Sequence, residues 1–125
     1  MILGMGNDVV EIERVGAAIG RNRDRFLKKI LSDREYQQAD GYSGSRLAEF
    51  TAGRFAAKEA LAKALGCGIG KMGMANVTIL VGEQGLTVEW EPSVGLNRVK
   101  KGDVLHVSIS HSLHVAFAVA IWERR

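Results

Sequence analysis

The amino-acid sequence predicts an α+β domain in which an N-terminal strand and several helices precede an antiparallel sheet. Three observations lead to this prediction: a long alanine-rich run without proline, apolar residues at alternate positions in the second half, and the order of helices before strands. The 125 residues fit a single domain, residues 1–125. Apolar residues make up 46% and charged residues 25%, which is a globular rather than a disordered composition.

The first third of the chain is predicted to contain one strand and three short helices. Residues 2–10 are rich in apolar side chains and form the strand, although two glycines weaken it. A second short helix is expected over residues 25–31, and Ser32 and Glu35 have the spacing of a capping box that starts a third. The first helix follows the strand directly, with apolar residues at helical spacing at Ile12, Val15, Ala18 and Ile19.

A long helix is predicted over residues 45–65, after a polar loop at residues 40–45. Gly66 can end this helix in a left-handed cap. Residues 115–122 are apolar throughout, which suits a strand covered on both faces, whether by helices or by a neighbouring subunit. Three further strands are indicated by alternation at Val77, Ile79 and Val81, at Leu86, Val88 and Trp90, and at Leu105, Val107 and Ile109.

Charge and cysteine content limit the classes of function. The formal net charge of +3 is too small to indicate nucleic acid, but it is compatible with an acidic protein partner or a phosphate-rich ligand. The single cysteine, Cys67, cannot form an intrachain disulfide, and we expect it to be inert. We find no signal-peptide pattern and no apolar stretch long enough to span a bilayer, so we expect a cytoplasmic protein without a membrane segment.

Three residues could together perform phosphoryl chemistry. Glu59 and Lys63 lie one turn apart on one face of the long helix, and Asp8 lies near the end of the first strand. If the two carboxylates converge, their oxygens are ligands that Mg²⁺ prefers, and Lys63 would face the same phosphates. Two simpler interpretations stay open: Glu59 and Lys63 can form an exposed helix ion pair, and Asp8 can cap a helix or a turn.

Two other segments carry weaker signals. The glycine-rich residues 66–73 follow a helix instead of a strand, so they match neither a dinucleotide-binding fingerprint nor a P-loop. They are either a loop near the ligand or a plain connection. Residues 108–112 place hydroxyls and His111 at the end of a strand, where they could bind phosphate, supply a serine nucleophile or form a polar turn.

Three sequence motifs stand out along the chain: GNDVVEIER at residues 6–14, FAAKEA followed by KALG at residues 55–66, and SISHS at residues 108–112. Taken together, they resemble the holo-acyl-carrier-protein synthase branch of the 4′-phosphopantetheinyl transferases. The resemblance spans nearly the whole chain, and the single-domain length is similar to the bacterial trimeric type. It implies the fold of that family, with active sites between the subunits of a homotrimer.

The resemblance implies transfer of 4′-phosphopantetheine from coenzyme A to a serine of apo acyl carrier protein, in support of fatty acid biosynthesis. Adenosine 3′,5′-bisphosphate is the other product. Asp8, Glu59 and Lys63 would be catalytic, with Asp8 and Glu59 holding Mg²⁺ and Lys63 assisting the departing phosphate. Either Glu59 or a metal-held water would take the serine proton, and the sequence leaves both possibilities open.

The resemblance also implies two binding surfaces. Basic side chains would dock the acidic carrier protein. The sequence departs from the family pattern at residues 90–92, where Trp-Glu-Pro replaces Gly-Lys-Pro beside the nucleotide, and at the turn of residues 112–114. The carrier-docking residues implied are Arg14, Arg25, Phe26 and Arg46, and those implied for coenzyme A are Arg54, Lys63, Pro92 and His111.

Three alternative functions are considered from the same sequence. A small basic nucleic-acid-binding module would need aromatic residues interleaved with the basic run, where Phe26 stands alone. An inactive trimeric scaffold would not need Asp8, Glu59 and Lys63 together. An active transferase dedicated to a specialised carrier is the nearest alternative, and the sequence does not say which carriers are accepted.

Overall fold

The computed structural model describes residues 1–68, 73–94 and 96–125, and it confirms the predicted α+β fold with helices before the sheet. Two one-turn 3-10 helices, Met74–Asn76 and Pro92–Val94, flank the second and third strands. The described strands and helices, in chain order, are β1 (Ile2–Glu11), α1 (Ile12–Arg21), α2 (Arg23–Ile30), α3 (Asp33–Gln38), α4 (Gly44–Leu65), β2 (Val77–Gly82), β3 (Gly85–Trp90), β4 (Val104–His111) and β5 (Val115–Glu123).

The strands form two antiparallel sheets. The larger has the order β1-β5-β4, so β5 lies in its centre and pairs with both neighbours. The smaller is the hairpin of β2 and β3, in which Gly82 pairs with Gly85 and Gly85 has a φ of 111°. Because β1 is antiparallel to β5, the first and last strands have their outer ends on the same side of the sheet, where the Met1 amino group donates to the Arg124 carbonyl oxygen at 2.7 Å.

Helix α4 packs across β1 and β5 through small residues. Ala56, Ala57 and Ala60 of the helix are completely buried, as are alternate alanines of β5. Gly6 of β1 lies so close that a Cβ atom there would overlap the carbonyl oxygen of Ala60, and Gly4 meets Ala64 in the same way. The glycines that weaken the strand signal in the sequence are therefore the residues that let α4 approach β1.

The apolar strand β5 is covered on one face within a single chain. Its inward face carries Ala116, Ala118 and Ala120, each 0% exposed, and ends at Trp122. Its outward face carries larger side chains, of which Phe117 is 37% exposed. Both faces of β5 carry apolar residues, small ones toward α4 and larger ones away from it, and the strand is therefore apolar throughout in the sequence. The expected cover on its second face stays a prediction.

The local signals for helix starts and ends agree with the structure. Ser32 Oγ accepts from the backbone N–H of Glu35 at 3.3 Å, and the Glu35 side chain accepts from Ser32 at 2.9 Å, which confirms the capping box. Gly66 has a φ of 69° and caps α4 as predicted. The predicted α2 was wrong by two residues at its start, because Asn22 caps it earlier, at the Arg25 N–H.

The predictions for the glycine-rich segment and for a membrane-spanning segment are tested only in part. In the glycine-rich segment 66–73, residues 69–72 lie outside the described residues. None of the helices in the described ranges is long and apolar enough to cross a membrane.

Candidate active site

Strand β1 and helix α4 bring Asp8 and Lys63 together. Lys63 Nζ donates to Asp8 Oδ1 at 3.2 Å and to the carbonyl oxygen of Asn7 at 2.9 Å. Within the described residues, the ion-pair partner of Lys63 is this aspartate on another element and not Glu59. Asp8 does not cap a helix, since the residue at the start of α1 is Glu11. The two simpler interpretations of these residues therefore do not describe the fold.

Glu59 lies next to this pair, and the surroundings act on its charge. Partial burial raises the pKa of the Glu59 carboxyl above its usual value, and the nearby Asp8 carboxylate raises it further, while Lys63 lowers it. Asp8 and Glu59 therefore repel each other, and one ammonium group partly offsets the repulsion. A carboxylate held in this way accepts a proton more readily than an exposed one.

Glu59 and Phe55 line two neighbouring cavities. The first, of about 480 Å³, includes Asp8 together with Arg14 and Phe26. The second, of about 400 Å³, is bordered by Lys29, Ile30 and the segment Gly73, Met74, Ala75 and Asn76. Phe55 therefore lies on the same face of α4 as Glu59, and the carboxylates border concave surface instead of open water.

The two carboxylates fit a divalent cation that also takes ligands from outside the chain. Among residues 1–68, 73–94 and 96–125 there is no cluster of three or more His, Cys, Asp or Glu side chains able to hold a metal ion. Mg²⁺ commonly binds through one or two carboxylates and completes its octahedron with waters and substrate phosphates. Asp8 and Glu59 would hold such an ion, which would also remove the repulsion between them.

A further cavity, of about 230 Å³, lies on a different face of α4. Its walls include Arg54 and His111, with Arg46 at the rim. The guanidinium of Arg54 lies over the Phe50 ring, 4.5 Å from its centroid, and that of Arg46 lies 4.4 Å from the centroid of Tyr42. Cationic planes held on aromatic rings, beside an imidazole, form a surface suited to a phosphorylated, planar ligand.

The two groups of predicted residues point away from each other. Arg54 and Glu59 are five residues apart, which separates them by roughly 140° around the helix axis. They line different cavities. One chain therefore presents the carboxylates on one side of α4 and the arginines on another, and a single small ligand would not span both in one chain.

The structure divides the predicted docking residues. Arg14 and Phe26 line the cavity of Asp8 and Glu59. Arg46 lies with Arg54 and His111, and Arg25 is exposed in the first turn of α2 and lines neither of these cavities. Pro92 is exposed at the start of its 3-10 helix.

The polar segment at the end of β4 forms a turn. Ser112 Oγ accepts from the backbone N–H groups of His114 and Val115, at 3.2 and 3.3 Å. Ser108 and Ser110 are exposed on β4, while His111 lines the cavity of Arg54. Of the open interpretations, the polar turn describes Ser112, and an anion-binding role remains available to His111.

Sequence reasoning assigned no role to a buried ion pair behind these cavities. Lys58 and Glu35 are both fully buried, and Lys58 Nζ contacts Glu35 Oε1 at 2.5 Å. The spacing of Ser32 and Glu35 indicated a helix cap but not a second, long-range use of the same carboxylate. The apolar residues Phe55, Leu61 and Ala62, each one helical turn from Lys58, were the available signal, since a lysine on a largely apolar face must find a buried partner.

Comparisons with known proteins agree over almost the whole chain. A model of the 4′-phosphopantetheinyl transferase superfamily matches residues 4–118. The chain is 44% identical to the holo-acyl-carrier-protein synthase of Geobacillus kaustophilus (strain HTA426) over 125 residues, covering 99% of this chain and 91% of that protein. It is 43% identical to the synthase of Listeria innocua, covering 99% and 100%.

Solved structures show the same fold. A holo-acyl-carrier-protein synthase from Bacillus anthracis, in complex with CoA (3′,5′-ADP), superposes with a TM-score of 0.81 at 36% identity, covering 100% of this chain and 99% of that one. The corresponding synthase from Neisseria meningitidis gives 0.85 at 26% identity, covering 99% and 100%.

Proposed function

The chain belongs to the 4′-phosphopantetheinyl transferase superfamily, and from this premise we propose that it transfers 4′-phosphopantetheine from coenzyme A to a serine of apo acyl carrier protein. The products are holo acyl carrier protein and adenosine 3′,5′-bisphosphate. The observation that supports this most directly is that Asp8 and Glu59 line one cavity while Lys63 forms an ion pair with Asp8 beside it. We further propose that the enzyme is Mg²⁺-dependent, acts in the cytoplasm and serves fatty acid biosynthesis.

The reaction is a displacement at phosphorus. The serine oxygen forms a bond to the β-phosphate of coenzyme A, and the bond from that phosphorus to the oxygen leading to the α-phosphate breaks. A Mg²⁺ ion held by Asp8 and Glu59 would offset the negative charge that builds on the pyrophosphate. Lys63, which contacts Asp8 at 3.2 Å, supplies a further positive charge toward the leaving phosphate.

The serine proton must leave as the new bond forms. Glu59 is the candidate base, because its carboxylate lines the cavity that would receive the carrier serine. A water positioned by the two carboxylates is the alternative base. Both assignments place the carrier serine in the 480 Å³ cavity beside Glu59.

The carrier would approach at the mouth of that cavity. The Arg14 side chain is 81% exposed, and its ion pair with Glu11 is long, at 3.9 Å, so its charge remains available to an acidic partner. Phe26 adds an apolar contact in the same wall. We assign Arg25 to the same docking surface because it is exposed on α2, the helix that carries Phe26.

Coenzyme A would lie between two subunits. Arg54 and His111 would contact its nucleotide and 3′-phosphate on one subunit, while the carboxylates and Lys63 of the next hold the pyrophosphate. Arg46 lines the Arg54 cavity, so on this assignment it borders the nucleotide as well as the carrier. Pro92 would contact the adenine.

The outward face of the larger sheet supplies a surface for the assembly. Met5 pairs across β1 and β5 with Ile121, and Val9 pairs with Phe117. Met5 is 65% exposed and Val9 57% exposed, and together with Phe117 they form an exposed apolar surface of the kind that marks an interaction site. A head-to-tail contact that closes on itself would generate a ring, and three copies give the proposed homotrimer.

Intact-mass spectrometry of an apo acyl carrier protein tests the proposed function. The carrier is incubated with this protein, coenzyme A and Mg²⁺, with EDTA and a carrier lacking the acceptor serine as controls. A metal-dependent mass gain of one phosphopantetheine group supports the transferase. The absence of any gain across several carriers would contradict it and favour an inactive scaffold.

A further inference from the structure

A buried cluster of charges lies between the cavities on the two sides of α4. Its centre is Glu35, which is 0% exposed. The Oε1 atom accepts from the Ser32 N–H at 2.9 Å and from Lys58 Nζ, and the Oε2 atom accepts from the Ile79 N–H at 2.9 Å. One carboxylate therefore joins the start of α3 to α4 and to β2.

Lys58 connects this carboxylate to the walls of the cavity beside Glu59. Its Nζ atom also donates to the carbonyl oxygens of Ile30, at 2.7 Å, and Met74, at 2.9 Å. Ile30 and Met74 both line the 400 Å³ cavity that Glu59 borders. The end of α2, the 3-10 helix and α4 thus meet at a single ammonium group.

Arg54 connects the same carboxylate to the cavity of the opposite side. Its Nε atom lies 3.8 Å from Glu35 Oε2 and is buried, with no hydrogen-bond acceptor among the described residues. The rest of its guanidinium lies over Phe50 and lines the cavity of His111. Glu35 is therefore the charge partner that faces the inner edge of this arginine.

Glu35 supplies the negative charge that offsets the repulsion between Arg54 and Lys58. Arg54 and Lys58 are four residues apart on one helix face, so they repel each other. Their burial makes that repulsion costly unless an anion lies between them. Without the Glu35 charge, the arginine gains by turning away from Lys58, and its guanidinium leaves the position that it holds in the cavity.

We propose that Glu35 is a positioning residue for substrate recognition: its carboxylate fixes the Arg54 guanidinium in the nucleotide cavity while it holds Lys58 against the walls beside Glu59. This inference rests on the proposed function, in which Arg54 contacts the 3′-phosphate of coenzyme A. It goes beyond that function because Glu35 touches neither substrate. If the role of Glu35 were purely structural, replacing it would lower the stability of the protein without changing its preference between substrates.

The preference for coenzyme A over 3′-dephospho-coenzyme A measures the position of Arg54. The ratio of kcat/KM for the two substrates is determined for the native protein and for Arg54→Ala, Glu35→Gln and Glu89→Gln. Glu89 is the matched control, since it forms an exposed ion pair with Arg34 at 2.7 Å. We expect a native ratio of roughly ten- to hundredfold, from the strength of a hydrogen bond to a charged group.

The expected pattern is specific. Arg54→Ala brings the ratio close to one, Glu35→Gln lowers it at least fivefold, and Glu89→Gln leaves it unchanged. The double variant of Glu35→Gln and Arg54→Ala behaves as Arg54→Ala does, because Glu35 acts through the arginine. A folded Glu35→Gln protein that keeps the native ratio overturns the inference.

The folding of the variants and the substrate preference of the native protein also decide the inference. Far-ultraviolet circular dichroism shows whether each variant is folded at the assay temperature. If Glu35→Gln does not fold, Glu35→Asp replaces it, since it keeps the charge but draws the carboxylate back from Arg54, and a lowered ratio is again expected. If neither folds, Glu35 serves folding alone and the inference fails. A native protein that transfers the group without preferring coenzyme A would instead contradict the assigned role of Arg54.

Discussion

At the scale of single residues, Glu59 is held in a position that favours chemistry over stability. Its carboxylate is partly removed from water and lies beside Asp8, with Lys63 as the compensating charge. An ionised glutamate with a raised pKa costs folding free energy at neutral pH. Such a residue is expected where function, and not packing, determines its environment.

Replacing Glu59 should therefore remove activity and spare the fold. We expect Glu59→Gln to lower kcat for carrier modification by at least about 100-fold, because the variant loses a proton acceptor and a metal ligand. The measurement is the initial rate of holo-carrier formation by intact mass. Glu83→Gln, at the exposed turn between β2 and β3, is the matched control. A loss of less than threefold in Glu59→Gln would show that Glu59 is not catalytic.

The same residue predicts how stability depends on pH in the absence of metal. Since the folded-state pKa of Glu59 lies above the unfolded value near 4.5, the native state holds the proton more tightly. Its stabilising effect is fully present below pH 4.5 and is lost as the pH rises through the folded-state pKa. In EDTA, Glu59→Gln should therefore have a higher Tm than the native protein at pH 7, and the gap should narrow below pH 4.5.

Thermal unfolding followed by circular dichroism, with and without Mg²⁺, measures this effect. Titrating groups far from Glu59 are common to both proteins and cancel in the comparison, whereas Asp8 contributes to the difference because its charge acts on Glu59. Adding Mg²⁺ should raise the Tm of the native protein and leave Glu59→Gln nearly unchanged. A pH-independent difference between the two proteins would contradict the raised pKa.

At the scale of elements, the site depends on how closely α4 lies against β1. Asp8 follows Gly6 by two residues, and Gly6 allows the Ala60 carbonyl oxygen to approach the strand. The contact between a glycine strand and an alanine helix thus determines the distance from Asp8 to Glu59 and Lys63. Packing and chemistry are coupled at this contact.

A methyl group at Gly6 should separate the two elements. We expect Gly6→Ala to lower the free energy of unfolding by about 1–3 kcal/mol, as overpacking does, and to reduce transfer activity because Asp8 moves. Gly20→Ala in α1 is the control, since nothing lies within 4 Å of the added atom, and it should stabilise by about 0.5 kcal/mol. Urea unfolding measures both changes. Changes in the free energy of unfolding that have equal size and sign for Gly6→Ala and Gly20→Ala would contradict the close approach of α4 to β1.

These contacts also show what the sequence could and could not predict. The capping box at Ser32, the Gly66 cap and the alternating strands follow from local patterns, and each was predicted. The convergence of Asp8 with Glu59 was predicted only as a condition, because they lie far apart in the sequence and no local pattern fixes their distance. The ion pair of Asp8 with Lys63 was not predicted. The tie from Glu35 to Lys58 was missed because its capping role already accounted for the glutamate.

At the scale of the whole molecule, one chain carries two groups of proposed site residues that do not meet. The carboxylates and Lys63 line one side of α4, and Arg54 with His111 lines another, roughly 140° around the helix. Exposed apolar residues on the outward sheet face offer a contact for further copies. The arrangement of surfaces suits an enzyme that is complete only as an oligomer.

Substituting a charge on that face should break the assembly and the activity together. Phe117 lies in the centre of the face, paired with Val9 on β1 and Ser110 on β4. We expect Phe117→Lys to convert a trimer into monomers that keep the fold but lose transfer. Light scattering coupled to size-exclusion chromatography measures the mass. Full activity in a monomer would place both half-sites within one chain.

Mixing two impaired variants tests directly whether the proposed half-sites come from different subunits. Glu59→Gln keeps Arg54, and Arg54→Ala keeps Glu59, so a boundary between the two proteins can combine an intact half from each. In random trimers formed from equal amounts, about a quarter of the sites join two intact halves, because each site draws its halves from independent chains. At a coenzyme A concentration well below KM, we expect Arg54→Ala alone to keep roughly 1–10% of the native rate of holo-carrier formation and Glu59→Gln alone about 1% or less. Coexpressed variants should then recover up to about a quarter of the native rate. Coexpressed trimers that are no more active than the mean of the two variants, although mass spectrometry shows that they contain both chains, would mean that each site is built within one subunit.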